Sequence, residues 1–101
     1  MAKGKFSKQP YEEFTISVPF GKNMVTGETI TTQTAIAVDT DAVDASSAVL
    51  KADTLSNTGQ TVTVLVRAGE VAKSPYQITI RCVTSLGHKW EKDIVMKVVE
   101  E

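Results

Sequence analysis

The chain holds one cysteine, one histidine and three prolines in 101 residues. A single cysteine rules out an intramolecular disulfide and a cysteine-built zinc site, and a single histidine rules out a two-histidine metal centre within one chain. Leucine is scarce as well, 4 against 13 valines and 13 threonines, which argues against a helical bundle. Neither sign of charge dominates: 11 Lys and Arg face 12 Asp and Glu, a formal net charge of -1. That leaves no electrostatic excess to hold a phosphate backbone, so nucleic acid is not an expected partner. No run reaches the roughly 18 apolar residues of a membrane helix, and residues 1–10 have no apolar signal-peptide core, so no membrane partner is expected. Synthesis and folding in a cytoplasm is the expectation, with which an unpaired Cys82 agrees.

Val and Thr are present in quantity, and both are stiff at χ1 and better suited to a pleated sheet than to a helix. An all-β protein follows, and 101 residues make one domain with a thin core. Residues 1–10 carry Lys3, Lys5 and Lys8 and close on Pro10, which reads as a flexible basic N-terminal arm; residues 11–101 read as a single β-sandwich domain. Over residues 11–20, Phe14, Ile16, Val18 and Phe20 alternate with Glu13, Thr15 and Ser17, the period of two of a half-buried strand, and Pro19 ends its pairing or marks an edge. A loop follows at 21–27, then a β segment at 28–38 with Ile30, Ile36 and Val38 inward. Turn formers fill 39–47, a short strand around Val49 and Leu50 covers 48–52, and 53–60 is a loop. Residues 61–67 form a strand with Val62, Val64 and Val66 on one face, and 68–75 turn the chain through Gly69. Residues 76–85 set Tyr76, Ile78, Ile80 and Cys82 inward. Leu86 and Gly87 turn that strand into 89–99, whose Trp90, Ile94, Met96 and Val98 share a face, making a β-hairpin. Six or seven short strands at this spacing predict an immunoglobulin-like antiparallel β-sandwich; a small closed barrel is the other arrangement they fit.

Residues able to carry chemistry do not combine. Cys82 and His88 are the first pair to weigh as a thiolate and its base. With the turn at Leu86 and Gly87, Cys82 faces Glu91 across the ladder and His88 faces Ser85. Cys82 therefore reads as a small buried hydrophobe and His88 as an exposed turn residue. The stretch holding Asp39, Asp41 and Asp44 fails as a calcium loop: Val43 stands where an oxygen ligand is needed, Asp44 where glycine is needed and Leu50 where a bidentate Glu is needed. It reads as a turn cluster whose carboxylates bond backbone amides. The six glycines stand apart and form no phosphate cradle. Glu12 with Glu13 and Glu100 with Glu101 are sequence neighbours that point to opposite faces of a strand, which does not make a glycosidase pair. The register of Trp90 with Ile94 and Met96 favours a core role over an interface anchor. No catalytic residue, metal ligand or cofactor is expected, and the chain reads as non-enzymatic.

Two stretches carry a family resemblance. One is the strand 13–20 followed by Thr26, Gly27, Glu28, Thr29 and Ile30. The other runs from Ser74, Pro75 and Tyr76 through Gln77, Ile78, Thr79, Ile80 and Arg81 to Val83, Thr84, Ser85, Leu86 and Gly87, with a closing strand to Val98. Over most of residues 11–99 the chain resembles small β-sandwich proteins of tailed bacteriophages and prophages, described as fibre-to-tail adaptors or as accessory proteins of the head and tail. The resemblance implies a non-enzymatic virion component made in the host cytoplasm and assembled in multiple copies on tail, fibre or capsid subunits, with no catalytic residue to carry over. A fibre or spike adaptor on the tail is the leading expectation, capsid decoration the second and a carbohydrate- or surface-binding module the third. The expected contact surfaces are the arm and the loops at 21–27 and 71–75, where Lys3, Lys5, Phe6, Lys8, Met24 and Val71 are the candidate partner-contact residues.

Overall fold

The computed structural model describes residues 4–100. In chain order the strands are β1 (Gly4–Lys8), β2 (Phe14–Pro19), β3 (Ile30–Val38), β4 (Leu50–Asn57), β5 (Thr61–Val66), β6 (Tyr76–Thr84) and β7 (Lys89–Val98), with a short helix α1 (Ser46–Val49) ahead of β4. They form two sheets, a four-stranded one in the order β1-β7-β6-β3 and a three-stranded one in the order β2-β5-β4. This is the two-layer sandwich expected from the alternation, and not the closed barrel. Even-numbered residues supply most of its interior: Val18 and Phe20, Val62, Val64 and Val66, Ile78 and Ile80, and Met96 and Val98 are buried between the sheets. Each such side chain contributes roughly 1.5–3 kcal/mol relative to leaving it in water.

Four details depart from the expectation, each for a local reason. Residues 4–8, expected in the flexible arm, form β1 and pair in parallel with β7, Gly4 opposite Ile94 and Lys8 opposite Val98. A strand needs only every second side chain to face inward. Phe6 meets that need by packing against the core, and Lys8 by turning its amine onto backbone carbonyls. Lys8 is 1% exposed, and its Nζ donates to the carbonyls of Gln9 (2.7 Å) and Ala68. Burial pulls its pKa below the ordinary lysine value, a pull that Glu12 and Glu13 partly oppose.

The second departure is in β3, where a bulge between Ile30 and Thr32 reverses the alternation. Ile30 is buried, but Ala37 then faces the core and Ile36 is 46% exposed, opposite to the expected register. Third, the expected short strand and following loop are α1 and an eight-residue β4, which is small and polar because it lies at a sheet edge. Fourth, the hairpin turns on three residues, 85–87, with Gly87 at φ 79° and Thr84 N–H donating to the His88 carbonyl (2.9 Å). Three-residue loops ending in a left-handed glycine are a favoured hairpin type. The pairing accordingly slips by one residue, and Cys82 faces Trp90 and not Glu91.

Candidate functional site

The two long sides of the sandwich differ. On one side β3 is tied to α1 and to β4: Ser46 Oγ accepts the Ala37 N–H (2.9 Å), and Asn57 Nδ2 donates to Gln33 Oε1 (2.8 Å). On the other side β2 faces β1 and β7 across an open groove of about 890 Å³. Phe6 and Phe14 meet edge to face across it with ring centres 5.8 Å apart, and Ile16 and Ile94 line it half-buried. Lys92 lies in the inward row of β7. Its amine donates to the Pro19 carbonyl and sits 5.2 Å from the centre of the Phe20 ring, which joins the two sheets at this side. The adjoining carboxylates point to the opposite face of the strand, where Glu91 pairs with Arg81 (2.5 Å) and Asp93 accepts a bond from Thr79 (2.8 Å).

The ends of the sandwich are built by polar latches. At one end the Glu28 side chain is fully buried. Its carboxylate accepts the Val25 N–H (3.1 Å), bonds the Thr84 hydroxyl and contacts His88 Nδ1 (3.0 Å), so the 21–29 segment is held to the hairpin tip. The Thr84 hydroxyl comes first among the contacts that keep Glu28 below the ordinary carboxylate range. His88 also stacks edge-on against Trp90 at 5.8 Å, while the Trp90 indole N–H is buried with no partner among the described residues. At the other end Asp39 Oδ1 accepts the N–H groups of Asp41 (2.8 Å) and Val43 (3.1 Å), and Asp44 accepts that of Ser46 (2.9 Å), the turn cluster expected of this stretch. Asp41 reaches Lys73 (3.1 Å) and so links this turn to the bend after β5. Cys82 is buried, which raises the pKa of its thiol, and it is not paired with His88.

The expected contact residues do not converge. Lys5 and Phe6 line the groove, Lys8 is buried with its amine on the Gln9 and Ala68 carbonyls, and Lys3 lies outside the described residues. Met24 packs partly against the core at the hairpin end, and Val71, 46% exposed, lies at the opposite end. Sequence reasoning missed Lys92, although it is the one charged residue within the inward series Trp90, Ile94, Met96 and Val98 of β7. It also missed the exposed apolar side chains of Tyr11, Val25 and Leu86.

Among the described residues no three His, Cys, Asp or Glu side chains lie where they could hold a metal ion. Fold and surface together define a small two-sheet β domain that offers edges, a groove and loop ends to neighbouring chains. A family model described as podophage GP4 fiber-tail adaptor protein gp77 matches residues 8–97, and the chain belongs to that family. The matched span covers β2 to β6 and nearly all of β7, and the family is of the fibre-to-tail adaptor kind that the two sequence stretches resemble. No curated protein matches the chain.

Proposed function

We propose that the protein is a non-enzymatic, multi-copy component of a podophage virion that joins a fibre to the tail, made in the host cytoplasm before it is built into the particle. The family match over residues 8–97 carries this reading, and it favours the adaptor over the capsid-decoration alternative. A bridge needs separate contact surfaces for its two neighbours, and exposed apolar side chains at both ends of a body 43 Å in its longest extent support this reading. Val25 and Leu86 are exposed at the hairpin end, and Tyr11, Val43 and Val71 at the other. A carbohydrate-binding module would need several aromatic rings on one exposed face, yet among the described residues Tyr11 alone is almost fully exposed, at 95%. The immunoglobulin-like reading belongs to the same proposal, supported by the four-plus-three division of the strands.

The test is reconstitution. Tails purified without this protein are mixed with purified fibre, with and without the full chain, and fibre attachment is counted by electron microscopy. Attachment only in the presence of the chain is expected. Attachment without it, or binding of the chain to heads and not to tails, would overturn the reading.

A further inference from the structure

The two sheets are unequal, and the groove lies where they fail to match. With β3 tied to β4 at one side, β1 is the surplus strand at the other, and the position beside β2 that would face it is empty of any described strand. The edge of β2 is chemically open. Phe20 N–H donates to the Gln60 carbonyl (2.8 Å), so in the β2–β5 register the even-numbered residues bond β5, while the N–H and C=O groups of Thr15 and Ser17 point away from it. An unpaired edge next to an apolar groove is a template for an added strand. The charge in the groove is selective. Lys5, Lys22 and Lys92 line it, and the two acidic residues that also border it have their carboxylates engaged, Glu91 by Arg81 (2.5 Å) and Asp93 by the Thr79 hydroxyl (2.8 Å).

We infer that this groove receives an extended segment of a neighbouring virion protein, acidic and apolar in alternation, which adds to β2 as a fourth strand of the smaller sheet. Its apolar side chains pack against Phe6, Phe14, Ile16 and Ile94, its backbone bonds Thr15 and Ser17, and its carboxylates meet Lys22 and Lys92. The identity of the neighbour as a virion protein rests on the adaptor reading; the recognition chemistry does not.

The experiment titrates the full chain, labelled for amide NMR, with a probe peptide of alternating valine and glutamate about eight residues long, a usual strand length. Two comparison peptides replace glutamate by lysine or carry N-methyl groups on alternate amides. The glutamate peptide is expected to bind at least about tenfold more tightly than either, since hydrogen bonds to charged groups and the ladder are both lost in the comparisons. The shifts should centre on Thr15 and Ser17. Lys22→Glu, at an exposed site, should weaken binding by roughly tenfold or more, and Lys92→Met should act in the same direction. Equal affinity for the three peptides, undiminished binding by the Lys22→Glu chain, or shifts centred on Thr34 and Arg81 of the outer face would overturn the inference. Any of those results leaves the adaptor reading to the reconstitution, which contains no peptide.

Discussion

Replacing Gly69 by Ala measures how tightly the bend after β5 is packed. Gly69 has φ 95°, and a methyl group on it would lie 2.9 Å from Val98 Cγ2, 3.5 Å from Tyr76 Cε1 and 3.8 Å from Val49 Cγ1. All three neighbours are buried, and Val98 is β-branched, so its χ1 is restricted and it yields less readily than a long flexible side chain. The left-handed backbone costs an Ala about 1–2 kcal/mol, and forcing a methyl into a filled site adds about 1–3 kcal/mol. Together these remove about 2–5 kcal/mol from a net stability of the order of 5–15 kcal/mol. Gly87 is the internal control, because at φ 79° with nothing within 4 Å it bears only the backbone cost. Urea unfolding followed by Trp90 fluorescence should therefore rank Gly69→Ala below Gly87→Ala by about 1–3 kcal/mol. Because the Ala68 carbonyl accepts the Lys8 amine, the same variant should speed amide exchange at Phe6 and Lys8. Equal destabilisation by the two substitutions would refute the packing of this bend on β7.

Three further outcomes follow from the same geometry. Deleting residues 2–9 removes Phe6 and Lys8 and uncovers the β7 edge, so the urea midpoint should fall by the equivalent of about 3 kcal/mol or more; an unchanged midpoint would mean that β1 contributes nothing to the sheet. Glu28 is held below its ordinary value of 4.5, so the stability it adds is complete above that pH and is lost as pH falls through the folded value. Urea midpoints of the natural chain should thus drop more steeply below pH 4.5 than those of Glu28→Gln, and superimposed profiles would contradict the latch. Cys82, buried and raised in pKa, should react with an aromatic disulfide reagent at least about tenfold faster in urea than in the native state, and equal rates would place it at the surface.

The strands that could be read directly are those in which apolar side chains recur at every second position along the whole length, even where, as at Phe14, the end of the row stays 36% exposed. The runs Phe14, Ile16, Val18 and Phe20, and Val62, Val64 and Val66, announce both the strand and its inward side, because the side-chain period of two leaves no other way to bury them. β1 was hidden by composition: its lysines look solvated, and the partner that orders them lies at the far end of the chain. The bulge in β3 exchanges Ile36 for Ala37, and no residue in that threonine-rich segment marks the place where the alternation reverses. The one-residue slip of the hairpin lay in the choice between two turn lengths around the same Gly87. The groove was the least legible feature, since Phe6, Phe14, Pro19 and Lys92 come from three strands and meet only after both sheets are formed. Lys92 alone carried a local sign, a charge standing in an apolar row.

The central claim is that this sandwich sits between fibre and tail. A cryo-electron microscopy reconstruction of the intact virion tests it most directly, because a body of 43 × 26 × 22 Å with seven strands can be recognised by its density. Copies at the fibre–tail junction, contacting both neighbours and holding an added strand beside β2, are predicted. Copies on the head lattice, or a junction made without this chain, would contradict it.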